Sequence, residues 1–261
     1  MIGRFAAFTG LAFAWSWAWW LPLTFRGEPV AFGDAAPAYV AGIPGPFFAA
    51  VCLVAAKEGR AGLRTFFWRL LPTRRAAPWC VAAALAPAGL LGVAILLTGA
   101  PAEPASFGTA PGLPHLSVLA LCAYAVLWNG LGEEAGWRGY GVPLLLERFG
   151  PLGASVLVSV AWAVWHLPLL PVLTSFAVVA SPAMLPVFWF GLACLSVVLT
   201  WFFLASGQNI LVVALWHGTY NVAAGTVAAQ GGINVVFTVF VMVWAVVVVV
   251  GWVRRRVPRP V

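Results

Sequence analysis

Charge is what this chain has least of. Only 8% of its 261 residues are charged, against roughly a quarter in a soluble domain. Mean hydropathy is +0.98 and 63% of residues are hydrophobic, so a water-soluble fold is excluded. Cysteine is also sparse: Cys52, Cys80, Cys122 and Cys194 stand singly in or beside apolar runs, with no C-x-x-C pair. That spacing suggests neither a disulfide framework nor a cysteine-rich metal site. The first apolar stretch ends in "WWLPLTF" with no small-residue cleavage site, and it reads as a retained first span. The net charge of +7 gives no case for nucleic acid, because the basic residues cluster between apolar spans.

What the chain has is length in its apolar runs. A stretch of about 18 or more apolar residues crosses a hydrocarbon core of roughly 30 Å. Lipid offers the backbone no hydrogen bonds, so such runs are expected to be helices. Eight spans are expected, at 4–24, 36–56, 78–99, 115–135, 152–171, 183–205, 208–229 and 233–253. The expected fold is therefore all-α and polytopic, one membrane domain over 1–261. An even number of spans puts thirteen of the fourteen basic residues on the side of both termini and leaves only Arg26 opposite. By the positive-inside rule that side is cytoplasmic. In 58–75, Leu63, Phe66, Phe67 and Leu70 repeat at helical spacing among arginines. This predicts a short helix in the cytoplasmic interface or, equally, a basic loop that fixes topology. Abundant Ala, Gly, Arg and Trp with few lysines suggest a GC-rich bacterium and its inner membrane.

Against this background, ionisable groups inside spans stand out, since each costs a few kcal/mol to insert. Of the seven acidic residues, only Glu133 and Glu134 fall at or within a span. His115 opens a span near the outer surface, whereas His166 and His217 lie well inside theirs, and Asn221 shares a span with His217. Glu134 and Arg138 are four apart with the acid first, the favourable order for a helical ion pair. Such a pair leaves Glu133 without a local counter-charge. His217 and Asn221 share a helix face by the same spacing, and His166 precedes Pro168, where a span ends or kinks. Plain structural roles fit each residue alone: an ion pair locking a helix end, a packed histidine, an asparagine bonding between helices. Together on three spans, they would offer a base, proton carriers and donors in a protected cavity.

The motifs "EEAGWR" (133–138), "WAVWH" (162–166) and "HGTYN" (217–221), in this order, resemble the three motifs of the CAAX-protease and bacteriocin-processing (CPBP) family of Rce1-like intramembrane proteases. The resemblance covers about 115–225, and "GIPGPFFAA" (42–50) is similar to a Gly-Pro feature of such proteins. Trp162 stands where the family usually has Phe, which predicts altered packing with the chemistry retained. The resemblance implies an eight-helix membrane peptidase with its site in the cytoplasmic half of the bilayer. By similarity, Glu133 activates water with help from His166, while His217 and Asn221 donate to the oxyanion. Glu134 and Arg138 take a structural role beside Trp162. The expected partners are the lipid bilayer and a membrane-associated or hydrophobic peptide, CAAX-like or otherwise.

The preferred scheme uses no cofactor. The alternative is zinc on Glu133, His166 and His217 with one open position, although the sequence lacks H-E-x-x-H. Two other functions remain open from the sequence: a non-catalytic immunity or chaperone-like partner, and a transporter using the buried carboxylates as a proton relay.

Overall fold

The computed structural model describes residues 1–27, 29–30, 36–99, 108–109, 116–176, 181–229 and 231–256. His115 and most of the stretches 26–35 and 100–114, which fall between expected spans, lie outside them. The fold is all-α. Its helices are α1 (Ile2–Arg26), α2 (Pro37–Gly42), α3 (Gly45–Trp68), α4 (Ala77–Thr98), α5 (Val118–Ala125), α6 (Gly132–Gly136), α7 (Val142–Trp165), α8 (Leu185–Ala205), α9 (Ile210–Gly225) and α10 (Gly232–Arg256). Five stretches are long and apolar enough to cross a membrane: Pro37–Trp68, Ala77–Thr98, Val118–Trp165, Leu185–Ala205 and Gly232–Arg254. Large aliphatic side chains such as Leu96 and Leu119 are about four-fifths exposed. Lipid rather than water suits such surfaces, and the architecture is that of a multi-pass membrane protein.

Two helical runs are longer than one crossing and are broken by glycine. Val118–Trp165 has 48 residues; at 1.5 Å per residue it would extend roughly 70 Å if straight. Gly150 breaks it with a φ of 63°, a conformation that costs glycine no Cβ clash, and Pro151 follows. The break falls between the expected spans 115–135 and 152–171. The polar piece 136–150 that follows the glutamates is helical up to that break. Gly59 interrupts α3 in the same way, with a φ of 62°, and the helix then continues to Trp68. This second part covers much of the interfacial helix expected at 58–75.

The end of α7 follows the sequence closely. Trp165 is its last residue, His166 forms the C-cap, and Pro168 lies in the 3-10 turn Leu167–Leu169. α9 is short, at 16 residues, and central, packing against α4, α5, α6 and α8. The Asn209 side chain starts it by accepting the Val212 N–H at 3.1 Å. Its amide also donates to the Leu71 carbonyl at 2.7 Å, tying α9 to the segment after α3.

Candidate active site

The two-glutamate motif lies on α6, between two π-helical stretches, Val126–Leu131 and Trp137–Gly141. Each wider turn offsets the residues that follow from the regular helical register, a device frequent at functional sites. Glycine lets neighbouring backbones close on this helix. A Cβ on Gly130 would collide with the Ala214 carbonyl of α9, and one on Gly136 with the Pro46 carbonyl of α3. The "GIPGPFF" segment therefore acts through packing: its backbone is the wall against which α6 lies.

This arrangement gives the adjacent carboxylates different surroundings. Glu134 is fully buried and accepts from Arg138 Nη1 at 2.8 Å (Oε1) and 3.0 Å (Oε2). His217 Nδ1 lies 2.8 Å from the same Oε1. A carboxylate accepts, so Nδ1 carries the proton and donates. The expected Glu134–Arg138 pair is therefore present, and it holds His217 as well. The Arg138 guanidinium stacks 4.8 Å from the Trp162 ring centroid, and its Nε and Nη2 find no acceptor among the described residues.

Glu133, also buried, faces the other way. Its Oε2 accepts the indole N–H of Trp162 at 2.8 Å. The sequence led us to expect a change of packing at Trp162; the change is also chemical, because a phenylalanine has no N–H to give. His166 Nδ1 lies 2.8 Å from the Trp162 carbonyl oxygen and must donate to it. Both imidazoles thus carry a proton on Nδ1 and leave Nε2 without a partner among the described residues.

Glu133, His166, His217 and Asn221 line one cavity of about 330 Å³, and Glu133 is the carboxylate among its described lining residues. Glu134 and Arg138 lie behind it. The apolar wall includes Trp165, Leu169, Leu173, Phe176, Phe188 and Leu195. Four aromatic rings pack round His166, with Trp165 nearest at 4.9 Å between centroids.

Asn129 is a lining residue that sequence reasoning missed. It is 5% exposed, faces the same cavity and has no hydrogen-bond partner among the described residues. The signal was available: Asn129 precedes Glu133 by four, the spacing that drew attention to His217 and Asn221. Asn234 and Thr238 of α10 also reach the cavity, but the Asn234 amide is engaged with Ala224 and the Thr238 hydroxyl with Asn234.

Among the described residues, no group of three His, Cys, Asp or Glu side chains is arranged to hold a metal ion. In the Glu133, His166 and His217 set, both Nδ1 protons are held by protein acceptors, which leaves each Nε2 and one carboxylate oxygen free among the described residues. The three side chains are not grouped as a metal site, and no step below passes through a metal.

Residues 115–223 match the family described as "Type II CAAX prenyl endopeptidase Rce1-like". The chain is also 30% identical over 95 residues to a "CAAX prenyl protease 2" of Methanococcus maripaludis, covering 34% of each protein. The chain thus matches about a third of that relative's length. The matched family segment contains every motif residue named above.

Proposed function

We propose that this chain, whose segment 115–223 matches the Rce1-like family, is an intramembrane endopeptidase acting on membrane-associated or hydrophobic peptides. CAAX-like ends are the first class to try. It crosses a bacterial inner membrane eight times as one domain with both termini in the cytoplasm. The observation that carries the reading is the division of labour at the motif: Glu133 opens on the cavity beside His166, His217 and Asn221, while Glu134 is committed to Arg138.

Glu133 takes a proton from water as the oxygen attacks the scissile carbonyl. His166 helps to hold that water: with its proton on Nδ1, its Nε2 is an acceptor. His217 and Asn221 donate to the oxyanion of the tetrahedral intermediate, each contributing roughly 3 kcal/mol to lowering the barrier. With Nδ1–H already given to Glu134, His217 donates from Nε2 as an imidazolium, whose charge Glu134 balances. Collapse of the intermediate returns the proton from Glu133 to the leaving amine.

The test compares the membrane peptidomes of cells carrying the wild-type chain and its Glu133→Gln form. Fragments that depend on Glu133 would identify both activity and substrate. Equal fragments from both forms would overturn the mechanism, as a non-catalytic partner requires. Flux driven by a pH gradient in liposomes would instead favour a transporter.

A further inference from the structure

We infer that Trp162 is a positioning residue for Glu133, and that it acts through its indole N–H rather than through the bulk of its ring. The inference rests on the endopeptidase reading above. Trp162 is 2% exposed and touches both halves of the site. Its N–H binds Glu133 Oε2 at 2.8 Å, its carbonyl takes the His166 Nδ1 proton at 2.8 Å, and its ring face covers the Arg138 guanidinium at 4.8 Å. The ring edge also meets His217, with centroids 5.5 Å apart.

Glu133 Oε1 has no partner among the described residues, so the Trp162 bond is the tie that sets which oxygen faces the cavity. The terminal torsion of a glutamate is broad and roughly two-fold. Without that tie the carboxylate would sample orientations in which neither oxygen is aligned for water. Ring bulk alone would keep the packing on Arg138 and His217 while losing this control.

The test removes the N–H and keeps the shape. Amber suppression at position 162 installs β-(3-benzothienyl)alanine, in which sulfur replaces the indole N–H; Trp162→Phe is the natural counterpart. Cleavage of an internally quenched farnesylated CAAX peptide in proteoliposomes supplies kcat and KM. We expect kcat to fall about tenfold or more in both variants, the scale of one hydrogen bond to a charged group, with KM little changed in both and melting temperature little changed in the isostere. Wild-type kcat in the isostere would overturn the inference.

A second measurement needs no substrate. The indole N–H Raman band of Trp162, isolated by difference against Trp162→Phe, should lose its strong hydrogen-bond signature in Glu133→Ala; an unchanged band also overturns the inference. The two readings fail separately. Cleavage that survives Glu133→Gln sinks the endopeptidase proposal. A fully active isostere beside a dead Glu133→Gln sinks only the role of Trp162.

Discussion

Glu133 and Glu134 are neighbours in sequence and unlike in surroundings. Glu134 has no exposure, two donors and a formal cation at hydrogen-bond distance. Glu133 has one neutral donor, and the cavity lies before it. A helix turns about 100° per residue, so adjacent positions on a buried helix meet different neighbours. Here one meets the Arg138 side of the bundle and the other the hollow among α6, α7 and α9. A carboxylate whose lone pairs are taken by charged partners stabilises the fold; one with an oxygen left free has reactivity to offer.

The largest expected effect comes from exchanging the two carboxylates for amides. Glu133→Gln should cost roughly 10²- to 10⁴-fold in kcat, the scale of a general base, with the melting temperature in detergent unaltered. Glu134→Gln should show the reverse pattern, with its main loss in stability, because Arg138 would remain buried without a counter-charge. Rate and melting measurements on both variants decide the matter; similar profiles for the two would break the comparison.

Next in size is Arg138→Met. It fills the guanidinium's space with an apolar chain and leaves Glu134 buried with only His217. Removing one partner of a buried ion pair costs about 3–5 kcal/mol, because the remaining charge is uncompensated. Chemical denaturation in mixed micelles would read that loss. The paired change Glu134→Gln with Arg138→Met should recover most of it, since neither charge then remains.

The helices themselves were legible in the sequence, because lipid forces long apolar runs into helices and leaves few alternatives. The Glu134–Arg138 pair was legible too, being a local four-residue relation. The contacts of Trp162 and of His217 were not. They join residues 29 and 83 positions apart and depend on helix rotation, which two π-helical stretches displace from the regular 3.6-residue register. Asn129 escaped for a similar reason: its spacing was visible, but the hollow it faces is made by other helices. The helix through the polar piece 136–150 was not legible either, because Arg138 pairs with Glu134 inside the bundle, a place for its charge that the sequence alone does not show.

Asn129 offers a middle-sized test on the Glu133 side. Its amide faces the cavity without a partner, so Asn129→Ala should lower kcat by about tenfold if that amide meets substrate or intermediate, with little change in melting temperature. A stability loss with kcat intact would move Asn129 to the packing side of the comparison.

The smallest expected effect lies outside both carboxylates. Arg69 follows α3 within the basic stretch 58–75, and it turns inward. Its Nη1 donates to the Gly139 carbonyl at 2.9 Å and its Nε to the Gln208 carbonyl at 3.0 Å, with the guanidinium 5.2 Å from the Phe203 ring centroid. Burial pushes it down to about 10, so it stays protonated at neutral pH. Arg69 therefore pins the backbone of the same turn that carries Arg138, joining it to the start of α9, the helix of His217. A lysine has one nitrogen and cannot span both carbonyls in this geometry. Arg69→Lys should lose about 1 kcal/mol of stability, the net worth of roughly one hydrogen bond, and leave kcat nearly unchanged. A fall in kcat beyond that loss would show that the pin sets how His217 meets Glu134, coupling the fold-stabilising half of the motif to the reactive one.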